Sequence, residues 1–232
     1  LCLPLALKGC FIISCFPLYR LSSICSSNLY LMLAKFLASI KTESTSFKID
    51  FKKYKLLLIN SNVKHDLSES AYNDRRAVCE KVSKLLNLTA LRDASLEDLN
   101  SIKSKISNVD YEKTSYVIEE NSRVEKFSEA IQKNDIETLG DLIYQSHDGL
   151  SSKYKVSCKE LDFLVDETRN NSKILGARMM GGGFGGCTIN LIKKSEIEDF
   201  KNEISKNFKK EFGKECSIYQ VKLSEGTRII KK

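Results

Sequence analysis

Histidine is nearly missing from this chain: two residues in 232, His65 and His147, with nothing pairing them in sequence. That scarcity argues against a histidine-built metal centre or a catalytic triad, and solvent-facing or helix-end roles are expected for both. Proline is equally scarce, with both residues in the first 48 positions, and no carboxylate occurs before Glu43. The apolar stretch from Cys10 to Leu18 is broken by Pro17 and followed by Arg20. It falls short of the ~20 residues that cross a bilayer, so no membrane span is expected. Lysine and arginine outnumber acids 37 to 30, for a net charge of +7. The acids are interleaved through residues 43 to 225, and no basic stripe with aromatics accompanies them. Such a pattern describes a solvated face rather than a nucleic-acid surface.

Glycine, by contrast, is concentrated. Five of the eleven glycines fall in the run Arg178-Met179-Met180-Gly181-Gly182-Gly183-Phe184-Gly185-Gly186-Cys187. Glycine reaches positive φ without a Cβ penalty, and a run of it lets main-chain N–H groups converge on an anion. A phosphate-contact loop and a long hairpin turn both suit these residues, because the alternating segment Cys187 to Ile192 follows at once. Gly181, Gly183 and Gly186 satisfy G-x-G-x-x-G, yet a strand pattern comes next where a dinucleotide fingerprint must open a helix. A Walker loop ends in Gly-Lys-Ser/Thr, whereas this one ends Gly-Gly-Cys, which excludes it. In a ligand-contact loop, a Cβ at Gly182 or Gly183 would obstruct the cleft while leaving the fold intact.

Length and an apolar share of 42% allow one large domain or two small ones. Lys55 to Asn60 is an apolar run of strand length, and Asp66, Ser68 and Glu69 mark a helix start beyond it. Tyr72, Cys79, Val82 and Leu86 fall at i, i+7, i+10 and i+14, one face of that helix. Core packing is the plain role for Tyr72 there. Ser95 with Asp98, and Asn134 with Glu137, resemble capping boxes, and Val117, Asn121, Val124 and Ile131 share a helical face. Ser157 with Glu160 opens a helix carrying Leu161, Leu164, Val165 and Thr168. The expected order is then strand (174–180), glycine loop, strand (187–193), helix from Ser195 with its box partner Glu198, and strand (217–223). That is an α+β plan with the sheet covered on one side.

Several separate blocks carry a family resemblance: Ile59-Asn60-Ser61-Asn62-Val63-Lys64-His65, Ser70-Ala71-Tyr72-Asn73-Asp74-Arg75-Arg76 with Cys79-Glu80, Glu120-Asn121-Ser122-Arg123-Val124, Ser146-His147, Tyr154 to Asp162, and the glycine loop. In this order they resemble the galactokinase family of the GHMP kinases over about residues 50 to 228. Lys159 departs from the family's usual proline, at a first-turn helix position that accepts either. The resemblance implies a GHMP kinase C-terminal region, a ferredoxin-like αβ layer plus a helical segment, with residues 49–94 ending the N-terminal kinase domain and 95–232 forming the C-terminal domain. It implies a cytoplasmic enzyme with galactose and ATP as substrates, Mg²⁺ as cofactor, a sugar contact at Tyr72, and Gly181, Gly182, Gly183, Gly185 and Gly186 lining the cleft beside the phosphates. No nucleic acid or membrane partner is implied, and positive potential suits an ATP polyphosphate.

Residues 1–48 do not match. They hold Cys2, Cys10, Cys15 and Cys25, half of the cysteines. A signal or membrane segment and a secreted disulfide cluster fit these residues less well than an out-of-frame or mispredicted coding segment, which is expected because the chain opens on Leu1. The family's Gly-Leu-Ser-Ser-Ser loop, Glu-Arg-His segment and Met-Asp-Gln base are absent from this sequence. By family spacing the base falls near Leu18 to Tyr30, where no acid stands. General-base catalysis needs one within hydrogen-bond reach, and the family's serine and glutamate for Mg²⁺ are missing as well, so the chain alone is expected to be inactive with no catalytic or metal residue assigned. An N-acetylgalactosamine kinase, another GHMP kinase and a non-catalytic galactose-sensing regulator remain as alternatives.

Overall fold

The computed structural model describes residues 2–7, 10–15, 51, 53–63 and 69–221, the side chains of 2–7, 10–15 and 69–72 excepted. His65 and the segment 18–30 lie outside the described residues. Strands Cys2–Leu7 (β1) and Cys10–Cys15 (β2) pair antiparallel, with Cys2 opposite Cys15 and Leu7 opposite Cys10. They belong to a unit distinct from Ile49–Lys222.

Within Ile49–Lys222, an antiparallel sheet is built from Tyr54–Asn60 (β3), Ile174–Met180 (β4), Cys187–Lys193 (β5) and Ser217–Val221 (β6) in the order β4-β5-β3-β6. β3 pairs with both β5 (Leu57 opposite Asn190) and β6 (Leu57 opposite Gln220). The apolar strand nearest the start of this unit therefore lies centrally, which is the ferredoxin-like arrangement.

Six α-helices accompany the sheet among the described residues: Glu69–Leu85 (α1), Leu96–Ser101 (α2), Asn108–Lys133 (α3), Ile136–Ser152 (α4), Lys159–Arg169 (α5) and Ile197–Phe212 (α6). Leu57 and Ile59 alternate on β3 and point to one face with Ile174 and Ile192. Leu164 of α5 and Phe200, Ile204 and Phe208 of α6, spaced at i, i+4 and i+8, cover that face. Phe163, Phe208 and Phe212 pack as a trio with centroids 4.8 to 6.2 Å apart. A second core of Val82, Leu91, Leu99, Ile102 and Ile118 joins α1, α2 and α3, with Cys79 and Leu86 against it, as the spacing on α1 requires.

The Ser95–Asp98 capping box forms in both directions. The other expected boxes shift. Asn134 ends α3 in a left-handed conformation (φ 53°), which asparagine tolerates, and Asp135 caps α4 by accepting the Thr138 N–H at 3.1 Å. Cys158, not Ser157, precedes α5, and Lys159 is its first residue. Ser195 sits in a 3-10 turn, Lys194–Glu196, and donates to Glu196 rather than capping α6.

Candidate functional site

Residues 181–186 link β4 to β5, so the hairpin and the ligand-contact possibilities describe the same piece of chain. Positive φ angles run through Gly181 (90°), Gly183 (91°), Phe184 (61°), Gly185 (140°) and Gly186 (86°). Glycine adopts these freely, whereas a bulky residue such as Phe184 does so only where its surroundings impose it. Three anchors impose it. At the approach to the loop, the Met179 N–H donates to His147 Nδ1 at 3.2 Å. At its tip, the Phe184 N–H donates to the Val156 carbonyl at 2.7 Å. At its end, the Gly186 carbonyl accepts the Ser61 N–H at 2.8 Å and the Ser61 hydroxyl at 2.9 Å.

The glycines divide accordingly. A Cβ on Gly183 would stand 2.1 Å from the Val156 carbonyl oxygen, and one on Gly185 2.9 Å from that of Val63. These positions need glycine for packing, which overturns the expectation that a Cβ at Gly183 would spare the fold. A Cβ on Gly181 would meet nothing within 4 Å. Gly181 and Gly182 are half-buried, while Gly183, Gly185 and Gly186 are buried. The first two glycines of the loop are thus the more exposed ones.

Helix α1 docks on the loop through Arg75. Its Nε and Nη2 donate to the carbonyls of Tyr154 (3.1 Å) and Lys155 (2.8 Å), and its guanidinium lies 5.5 Å from the Phe184 ring centroid and 5.6 Å from that of Tyr154. Such cation–π placement holds a planar guanidinium well. Tyr72 lies on the same helix one turn before Arg75; its side chain falls outside the described residues.

Behind β4, motif residues far apart in sequence meet. Buried Glu120 on α3 takes the Arg123 Nε at 2.8 Å, the Ser146 hydroxyl at 2.5 Å and the Arg178 Nη1 at 3.3 Å. Two cations and a hydroxyl satisfy one buried carboxylate, and the set ties α3, α4 and β4 together. His147 is 2% exposed, contrary to the solvent-facing or helix-end role expected of it, because it lies on the face of α4 that meets β4. Its Nε2 lies 3.2 Å from Asp162 Oδ1, aligned too poorly for a full hydrogen bond. Burial acts to raise the Asp162 pKa, but the neighbouring His147 ring and Ser157, with the Ser151 hydroxyl that donates to Oδ2 at 3.0 Å, outweigh it and hold the carboxyl below the usual aspartate value. Glu120, His147 and Arg178 are the residues whose roles sequence reasoning missed; the only signal was a charged or titratable residue on an otherwise inward helix face or strand.

Burial pushes the Cys158 and Cys187 thiols up, so neither is an activated nucleophile. Among the described residues, no group of three or more His, Cys, Asp or Glu could hold a metal ion. No helix among them is long and apolar enough to cross a membrane. A groove of about 460 Å³ between the turn at Ser95 and α3 is lined by Arg92, Asn121 and Arg123, among others, and includes no loop residue.

Residues 127–210, from within α3 to within α6, match the GHMP kinases C terminal family. Over that stretch the chain is similar to the C-terminal domain of the GHMP kinases. Over 197 residues it is 41% identical to galactokinase of Thermotoga petrophila, a match covering 85% of this chain and 55% of that protein. It is 38% identical over 184 residues to galactokinase of Clostridium tetani, covering 77% and 47%. The crystal structure of Lactococcus lactis galactokinase complexed with galactose is similar with a TM-score of 0.76 at 25% identity, over 80% of this chain and 49% of that one. The chain spans about half the length of the curated relatives it matches. The matched family segment holds the glycine loop, His147, Asp162 and Arg178, while α1 with Tyr72 and Arg75 precedes it.

Proposed function

We propose that this chain supplies the sugar-contacting helix and the phosphate-side loop of a galactokinase, which transfers a phosphoryl group from ATP to D-galactose and yields galactose 1-phosphate and ADP. Tyr72 contacts the sugar. Gly181, Gly182, Gly183, Gly185 and Gly186 line the cleft, the first two offering main-chain N–H groups to phosphate oxygens and the other three packed behind them. The observation that carries this assignment is the Arg75–Phe184 contact, which docks the helix bearing Tyr72 on the tip of the glycine loop. The galactokinase relatives, one of them crystallised with galactose, favour this sugar. The net charge of +7 suits a polyanionic co-substrate. No residue of this chain is assigned to Mg²⁺ in this proposal.

In the same proposal, residues 49–94 end the N-terminal domain and give the sugar contact, residues 95–232 are the C-terminal domain and give the loop, and the enzyme is cytoplasmic. The two parts share one sheet through β3. Calorimetric titration of the 232-residue chain with galactose, N-acetylgalactosamine and ADP tests the assignment. Saturable binding of galactose and ADP is expected, with galactose preferred over its N-acetyl analogue. A folded chain that binds neither galactose nor ADP overturns it.

A further inference from the structure

β4 is an outer strand of its sheet, so alternate main-chain N–H groups along it point away from β5 and find no strand partner. At Met179, two residues before Gly181, that outward N–H is met by His147 Nδ1. The imidazole comes from α4, which lies close along this edge because glycine faces glycine. A Cβ on Gly140 would stand 2.2 Å from the Leu175 carbonyl oxygen, and one on Gly176 2.5 Å from that of Gly140. From Gly140 to His147 the helix advances seven residues, about 10.5 Å. From Gly176 to Met179 the strand advances three, about 10 Å. Helix and strand are therefore in step, and the second meeting point falls where the loop begins.

An acceptor at Nδ1 requires a lone pair there, which leaves the ring proton on Nε2, facing Asp162. Met179 is fully buried and His147 nearly so. A lost partner at this point leaves a buried N–H without a ready substitute in bulk water.

We propose that His147 is a positioning residue for the glycine loop: held in the Nε2-protonated tautomer, its ring is the fixed acceptor that sets where β4 ends and Gly181 begins. Only the consequence for nucleotide affinity rests on the phosphate-side assignment of the loop.

The test uses the full 232-residue chain and two variants that split the ring's two contacts. In His147→Asn the amide oxygen can take the place of Nδ1; in His147→Gln the amide takes the place of Nε2 and leaves the Met179 N–H unpaired. Amide hydrogen exchange at Met179 and Gly181 is expected to quicken by about tenfold or more in His147→Gln and to return to within about threefold of wild type in His147→Asn, while Ile189 on β5 is unchanged in both. In the wild type, ¹⁵N spectra of the imidazole are expected to show Nδ1 unprotonated and Nε2 protonated. A protonated Nδ1 in the neutral ring, or equal quickening in the two variants, or no quickening in either, overturns the proposal. The wild-type spectrum decides even where a variant does not fold. ADP affinity is expected to fall in His147→Gln and recover in His147→Asn. The expected exchange pattern in a chain that binds no ADP supports the positioning role and counts against the phosphate-side assignment alone.

Discussion

The carbonyl of Val156 accepts the N–H of Phe184 at 2.7 Å, and the same oxygen lies 2.1 Å from where a Cβ on Gly183 would stand. One carbonyl thus fixes the tip of the glycine loop and forbids a side chain beside it. Phe184 is held there in a left-handed conformation (φ 61°) with Arg75 over its ring. The loop is set by its neighbours rather than by its own flexibility.

Gly183→Ala is accordingly expected to destabilise the chain by about 2–4 kcal/mol, through the clash and the strained φ together. Gly181→Ala meets open space and carries only the backbone strain of about 1–2 kcal/mol. Urea denaturation midpoints of the two variants check this, and equal losses would mean that the Val156 contact contributes nothing.

Glu120→Ala removes the shared acceptor of Arg123, Arg178 and Ser146 and leaves two mostly buried cations unpaired. A loss of about 3 kcal/mol or more is expected from denaturant unfolding. Glu120→Gln should recover only part of it, since an amide accepts from Arg178 or Arg123 without their charge being matched.

Asp162 has a folded-state pKa below its unfolded one. The stability it contributes is therefore complete above the unfolded value and is lost as pH falls through the folded value, a window below about pH 4. Melting temperatures across that range should show wild type exceeding Asp162→Asn at neutral pH and converging with it in acid. A gap that is constant with pH would remove Asp162 from the acid transition.

Tyr72→Phe is expected to weaken galactose binding about fivefold, the worth of one hydroxyl contact near 1 kcal/mol, with ADP binding little changed. Calorimetry on the same preparation decides it, and unchanged galactose affinity returns Tyr72 to plain core packing.

The 232-residue chain incubated with ATP, Mg²⁺ and galactose is expected to form no galactose 1-phosphate, because no carboxylate precedes Glu43 to take the hydroxyl proton. Turnover above a control without protein, abolished by a substitution within this chain, would show that another residue serves as base.

Local chemistry made much of this molecule legible in its sequence. The strands at 174–180 and 187–193 fall where alternation and the glycine run between them require, and the Ser95–Asp98 box opens α2 because both partners lie within one helical turn. Those features depend on neighbours a few residues away. Asn134 against Asp135 as the cap was a choice between adjacent, chemically similar residues, and the left-handed turn of the chain decided it. The central place of β3, the Glu120–Arg178 pair 58 residues apart and the His147 contact to Met179 across 32 residues were not legible, because pairing between distant segments leaves no periodic trace. From Lys55 onward the sequence by itself determined which segments are strands, helices and loop, and that five glycines concentrate in one turn. Only the tertiary structure decided which of those glycines face open space and which are pressed against Val156 and Val63, since that depends on where other segments' carbonyls come to rest.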